Sequence, residues 1–337
     1  MNSDNDEPKQ YSDKNVAKCS PKSQTMITHQ PQGFVQLGSR MTDSLTSSKN
    51  GVNVDLCFIP LSDMSATQTS LAESWLSDDE LAKVRRYRDP KAQIKGLQVR
   101  AALRAVLSRY ADLSPHEWCF EYGAKGKPSL TATLRQQTGL EFNLSHSGDW
   151  LLIGLAQFDG VESGLFGVDI ERSRPKTDIY PILNHYFSPQ ETVALLALAD
   201  EASQRQRFFD LWALKESYIK ATGLGLAQSL KSFAFELRPF EQLAAESLEL
   251  SCQDAGLRQA CGVASMLNVY PHIPLQVPLQ IPIHTLDLAD SLHWQTHFGR
   301  LTEEYRFAIS LAHSGNASLP ITLTAQLSSI EVLLADY

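Results

Sequence analysis

Large apolar residues are sparse over residues 1 to about 50, where Ser, Asn, Gln, Lys and Asp prevail without a sustained period. Such a stretch buries too little surface to offset the entropy of ordering it, so a flexible tail is expected there. From Val52 to Ile59 the Val, Leu, Phe and Ile residues cluster as in a strand. In Leu76-Ser77-Asp78-Asp79-Glu80-Leu81, Ser77 can accept from free backbone N–H groups while Glu80 reaches back, a capping box that starts a helix. A second helix is predicted over Gln93 to Tyr110, with Leu97, Ala101, Leu103, Val106 and Leu107 on an apolar stripe. Short strands and turns follow from Trp118 to Ile170, including apolar strands at Trp150 to Ala156 and Phe166 to Glu171. Helices are predicted near Pro189 to Ala199 and Ser203 to Thr222, with Gly223 and Gly225 supplying the positive φ that ends the second. Phe233 to Leu237 and Tyr305 to Leu311 read as strands. Between them Pro271, Pro274, Pro278 and Pro282 forbid a continuous helix or a central strand, so an irregular insertion is expected over about 240–300.

Composition narrows the function classes. The chain has 337 residues, 43% of them apolar, which is ordinary for a soluble protein with a buried core. Its net charge of −8, with no run of Lys and Arg, argues against nucleic acid and anionic membrane as partners. Cys19, Cys57, Cys119, Cys252 and Cys261 include no Cys-x-x-Cys pair, which is poor material for a disulfide framework or a zinc site and fits a reducing cytoplasm. No basic segment precedes an apolar run at the N-terminus, and no stretch of about 18 apolar residues occurs, so neither a secretory signal nor a membrane span is expected. The five Trp read as core anchors, and the His residues show no spacing typical of metal ligands.

Two constellations carry candidate chemistry. Asp169 and Glu171, two apart at the end of a predicted strand, point to one face while Val168 and Ile170 point into the core. Such close carboxylates repel unless a cation lies between them, although an arbitrary Asp-x-Glu is more often a solvated strand end. In Trp212-Ala-Leu-Lys-Glu-Ser-Tyr-Ile-Lys220, Glu216 and Lys220 share one helix face, a spacing that a surface salt bridge would explain equally well. A third carboxylate would complete an oxygen-rich site for Mg²⁺.

Together these stretches resemble a known family. Phe166-Gly-Val-Asp-Ile-Glu171, followed by Trp212-Ala-Leu-Lys-Glu-Ser-Tyr-Ile-Lys220, is similar to the paired signature of 4′-phosphopantetheinyl transferases of the surfactin-synthetase-activating type. Gly126-Lys127-Pro128, Phe142-Asn-Leu-Ser-His-Ser-Gly148, Phe187-Ser-Pro-Gln-Glu191 and Gly223-Leu-Gly-Leu226 match in the same order, so the resemblance covers roughly residues 52–240 and the final strand. It implies an α+β fold of two similar packed halves, each a small, mostly antiparallel sheet with helices, and a cleft between them. The halves would be 51–160 and 161–337, following the tail at 1–50. The implied reaction is Mg²⁺-dependent transfer of 4′-phosphopantetheine from coenzyme A to a serine of an apo acyl or peptidyl carrier protein, releasing adenosine 3′,5′-bisphosphate. The pathway served, whether fatty acid, polyunsaturated fatty acid, polyketide or non-ribosomal peptide synthesis, stays open.

The resemblance also implies roles. Asp169, Glu171 and Glu216 would hold Mg²⁺, with Asp169 also facing coenzyme A. Lys220 would neutralise the leaving group, and Glu191 is a candidate base for the serine proton. Lys83, Lys95, Lys127, Ser145 and His146 would grip coenzyme A, with Arg100 an alternative to Lys95 at the 3′-phosphate. A monomer is implied. Two rivals remain. A hydrolase using Ser145 or Ser147, His146 and Asp149 is disfavoured because neighbours in one turn rarely form a nucleophile–base–orienter array, and no Gly-x-Ser-x-Gly is present. A non-catalytic carrier-binding module is disfavoured because all three carboxylates and Lys220 are retained.

Overall fold

Nine of the ten residues of strand β1 (Gly51–Pro60) are buried, which requires cover on both faces and neighbours on both sides. The protein is described here by a computed structural model covering residues 51–159, 164–239, 242–276, 292–314, 316 and 319–337. The expected tail, together with Pro278, Pro282, His29 and His284, lies outside these residues. After β1 come helices α1 (Ala66–Trp75), α2 (Asp78–Arg85) and α3 (Pro90–Ser108). A short hairpin of β2 (Phe120–Tyr122) and β3 (Pro128–Leu130), helix α4 (Ala132–Thr138), and the pair β4 (Leu140–Ser147) and β5 (Trp150–Asp159) follow. Next are β6 (Gly164–Arg172), α5 (Ile179–Tyr186), α6 (Pro189–Leu196), the long α7 (Glu201–Thr222) and β7 (Ala234–Phe235). The chain ends with β8 (Glu246–Cys252), α8 (Ala255–Cys261), β9 (Met266–Tyr270), β10 (Leu275–Gln276), β11 (His293–Arg300), β12 (Tyr305–His313), β13 (Ile321–Leu327) and α9 (Ile330–Ala335).

Among the described residues, nine strands form one sheet in the order β4-β5-β1-β13-β8-β9-β11-β12-β6. The pairs β1–β13 and β13–β8 are parallel, and the other pairs are antiparallel. Period two sorts the side chains. Val52, Val54, Leu56 and Phe58 of β1 join Phe166, Val168 and Ile170 of β6 in one core inside the curled sheet. Cys57 and Ile59 face the opposite way, into a core under α1, α3, α4 and α9. A third core lies between the far end of the sheet and α5, α6 and α7. Each fully buried Val, Ile or Phe contributes roughly 1.5–3 kcal/mol.

The two outermost strands, β4 and β6, meet through side chains rather than a backbone ladder. Val168 N donates to Asn143 Oδ1 at 2.9 Å and Arg172 N donates to Ser147 Oγ at 3.1 Å. A buried strand edge is thereby satisfied, and the sheet curls until its ends touch.

Local signals were read correctly at several ends. Ser77 and Glu80 form the expected capping box of α2, and Gly223 ends α7 at φ 70°. The expected irregular section over 240–300 needs correction, because β8, β9 and β11 within it are strands of the main sheet. Pro271 and Pro274 fall in the connection after β9, so the flanking segments are free to pair. Among the described residues Cys57, Cys252 and Cys261 are free thiols.

His297 of β11 is buried, and neither ring nitrogen has a hydrogen-bond partner among the described residues. Burial first, then nearby His272, pushes its pKa down to about 4. The folded state therefore resists a proton that the unfolded chain accepts below about 6.5. Stability from this residue is intact above that pH and is lost as pH falls towards 4. Between pH 7 and pH 5, urea denaturation should show His297→Phe losing about 2 kcal/mol less stability than the parent. Equal losses in the two proteins would contradict a neutral His297.

Candidate active site

Strand β6 places Asp169 and Glu171 on the face away from the inner core, opposite Ala308 and Arg306 of β12. Asp169 is only 4% exposed. Its Oδ1 accepts from Ser145 Oγ at 2.7 Å and from Lys220 Nζ at 2.6 Å, and Lys220 also donates to Ser145 Oγ at 2.7 Å. Glu171 accepts from Ser147 Oγ at 2.8 Å and from the Arg174 guanidinium at 3.3 Å. The seam between β4 and β6 thus carries the acidic groups.

Helix α7 brings the remaining partners. Phe208, Trp212, Glu216 and Lys220 are four apart and form one stripe along it. The helix can lie this close because β6 has Gly167 beneath it. A Cβ there would meet Ala221 N and Ser217 O at 2.3 Å. Ser217 and Ser310 of β12 share a hydroxyl hydrogen bond at 2.8 Å beside that contact.

A cavity of about 360 Å³ opens between β4, β6, α5 and α7. Ser145, His146, Asp169, Glu171, Glu216 and Lys220 line one side of it. Ile182, Phe208, Phe209 and Trp212 form an apolar wall, with Arg174 and Thr177 also on the lining. Burial, above all, raises the pKa of each carboxyl. Asp169 adds to the rise at Glu171 and Glu216, and Glu216 is pushed up to about 7 against the opposing pull of Lys220. The His146 pKa is lowered by partial desolvation and then by the charges of Lys220, Lys95 and Arg100.

As the side chains stand, no group of three or more His, Cys, Asp or Glu among the described residues is arranged to hold a metal ion. The donor set nevertheless fits a hard cation. Three carboxylates are met by two basic side chains, Lys220 and Arg174. Asp169 Oδ2 is buried without a partner among the described residues, and the Glu216 carboxylate makes no hydrogen bond there. Both are oxygen donors of the kind Mg²⁺ takes.

Other residues singled out in the sequence lie elsewhere. Glu191, 3% exposed, closes a capping box with Ser188, accepts from Phe235 N at 2.9 Å and pairs with fully buried Lys215 at 2.8 Å, away from the cavity. Lys127 donates to the carbonyls of Phe166 (2.9 Å) and Ala221 (3.2 Å), tying β6 to α7, and burial pushes its pKa down to about 8. Lys95 pairs with Asp149 at 2.8 Å beside the β4–β5 turn. Arg100 donates to Gly96 O at 2.8 Å, and Lys83 sits 3.9 Å over the Tyr122 ring. Neither Ser145 nor Ser147 is bonded to His146; their hydroxyls serve Asp169 and Glu171. The apolar wall was missed, and Trp212 had been read only as a core anchor. The spacing of four from Phe208 to Lys220 was the signal that could have shown it.

Comparison with known proteins decides the family. A model described as the 4′-phosphopantetheinyl transferase superfamily matches residues 165–260, and one described as 4′-phosphopantetheinyl transferase, N-terminal, matches residues 63–157. The 4′-phosphopantetheinyl transferase HetI of Nostoc sp. is 35% identical over 188 residues, covering 56% of this chain and 76% of that protein. This chain belongs to the 4′-phosphopantetheinyl transferase superfamily. The 4′-phosphopantetheinyl transferase Sfp of Bacillus subtilis is 31% identical over 173 residues, 51% of this chain and 71% of that protein. The Synechocystis protein slr0495 is 36% identical over 172 residues, but the match spans 65% of its length, just under two thirds. Among the described residues of this superfamily member, no helix is long and apolar enough to cross a membrane.

The contact at Gly167 gives a direct test of how α7 is seated. Gly167→Ala should lower stability by about 2–3 kcal/mol, because backbone rather than a flexible side chain has to move. An unchanged urea midpoint would show that α7 does not rest on β6 in this way.

Proposed function

We propose that the protein transfers 4′-phosphopantetheine from coenzyme A to a serine of an apo acyl or peptidyl carrier protein in a Mg²⁺-dependent reaction. The observation that carries this reading is the convergence of Asp169, Glu171, Glu216 and Lys220 on one half-apolar cavity, in a chain of this superfamily. Mg²⁺ held by Asp169, Glu171 and Glu216 would neutralise pyrophosphate oxygens. The carrier hydroxyl attacks the β-phosphorus, a P–O bond to serine forms, and the bond to the bridging oxygen breaks. The electron pair departs on adenosine 3′,5′-bisphosphate. Such a reaction needs alignment and charge stabilisation more than covalent help.

In this reading Lys220 donates to phosphate from its place beside Asp169, and Ser145 holds both groups in register. The Glu216 side chain has no hydrogen-bond partner among the described residues, so one carboxylate oxygen would face Mg²⁺ while the other receives the serine proton. Glu191, enclosed by Ser188, Lys215 and Phe235, is a poorer choice. The nucleotide end of coenzyme A would lie towards His146, with Lys95 and Arg100, whose charges reach that imidazole. Lys83 and Lys127 would act at a distance from the cavity, Lys127 by fixing β6 to α7. The apolar wall excludes water from the reacting groups. A two-half architecture is supported by a repeated arrangement: β1 pairs with β5 of a hairpin much as β6 pairs with β12 of another. A monomer in the cytoplasm completes the proposal.

Incubating the protein with coenzyme A, Mg²⁺ and a panel of apo carriers should add one phosphopantetheine mass to at least one carrier, and EDTA should stop the reaction. Glu216→Ala should reduce the rate at least about 100-fold, the scale expected when a group acting in the transition state is lost. Unchanged modification by this variant would sink the metal-enzyme reading.

A further inference from the structure

A buried charge cluster next to the cavity is unused by the reaction as described. Asp210 of α7 is 1% exposed, and each of its carboxylate oxygens is held by a different strand. Oδ1 accepts from Arg306 Nε of β12 at 3.0 Å, and Oδ2 accepts from the Arg300 guanidinium of β11 at 2.8 Å. Arg306 is fully buried and donates to Glu304 O at 3.3 Å, while its second terminal nitrogen has no partner among the described residues. Its guanidinium lies 5.7 Å from the ring of Phe209, part of the cavity wall.

The location of this clasp gives it meaning. Arg306 stands directly opposite Glu171 in the β12–β6 ladder, so their side chains leave the same face with Cβ atoms about 5 Å apart. Asp210 precedes Glu216 by six residues on α7, about 9 Å along the helix axis. At the far end the same helix is seated on Gly167 and on the Ser217–Ser310 hydroxyl pair. A carboxylate bonded to two strands resists sliding and rotation of the helix at the end away from the Gly167 contact. Buried ion pairs are weak sources of net stability, and setting register is their best-attested use.

We propose that Asp210, gripped by Arg306 and Arg300, is a positioning residue that fixes the register of α7 so that Glu216 and Lys220 meet Asp169 and Glu171. This rests on the transferase reading above. Asp210, Arg300 and Arg306 are not on the cavity lining. The cluster acts through α7, and a displacement of about 1 Å at reacting groups costs on the order of 100-fold in rate.

The test compares Asp210→Asn with the double variant Asp210→Asn/Arg306→Met, which leaves neither of those two buried charges. Four quantities are read: the urea midpoint, Mn²⁺ binding by EPR with coenzyme A but no carrier, kcat on a carrier, and KM for coenzyme A. Asp210→Asn should lower the midpoint, because it strands Arg306. The double variant should recover most of that loss yet still bind Mn²⁺ about 10-fold more weakly and turn over about 10- to 100-fold more slowly, with KM for coenzyme A little changed. If the double variant regains parental Mn²⁺ affinity and kcat along with stability, the clasp is only structural and the proposal is overturned. Should Asp210→Asn alone fail to fold, the double variant still decides between these outcomes. A parent protein that modifies no carrier and binds no Mn²⁺ would instead overturn the transferase reading.

Discussion

Helix α7 lies on β6 at Gly167, where even a methyl group would collide with the backbone of Ser217 and Ala221 at 2.3 Å. That closeness brings Lys220 Nζ within 2.6 Å of Asp169 and turns Glu216 towards the same cavity. Neighbouring groups reinforce the contact. Lys127 bonds the carbonyls of Phe166 on β6 and Ala221 on α7, and the Ser217 hydroxyl meets Ser310 on β12. Close packing of this kind is not continuously deformable, so the acidic site has one geometry rather than a range of them.

The second constraint is the seam between the outermost strands. Strand β4 supplies Asn143, Ser145 and Ser147, and each of these side chains reaches β6. Two bonds satisfy the free backbone edge of β6, and two hold the carboxylates of Asp169 and Glu171. The same polar residues therefore close the sheet and orient the site. Burial raises the proton affinity of all three carboxyls, and Asp169 adds to the rise at its two neighbours. A cation relieves that strain directly, which is why an acidic cluster of this kind suits phosphate chemistry.

Fold and site were unevenly legible in the chain. The capping box at Ser77, the helix end at Gly223 and the alternation of β6 were readable because each depends on a few adjacent residues. Strand β13 was not, since it pairs in parallel with β1 across more than 250 residues, and its partner β8 lay in a segment read as irregular. The roles of Glu191 and Lys127 show a different limit. Ser188-Pro-Gln-Glu191 is itself a capping-box sequence, and the fold uses Glu191 there and against Lys215. The resemblance implied that Lys127 grips coenzyme A, but the lysine donates to two main-chain carbonyls nearby.

By itself the sequence determined the chemical parts: two carboxylates on one face of a strand, Glu216 and Lys220 on one stripe of a helix, and the family in whose order these motifs stand. Period two and period 3.6 are local properties, so they survive without coordinates. Only the tertiary structure decided that strand and helix share a cavity, that its other wall is aromatic, and that Asp210 clasps two arginines beside Glu171. Those relations depend on how far a helix may approach a sheet and on which strands end up side by side. Spacing along the chain carries no record of either.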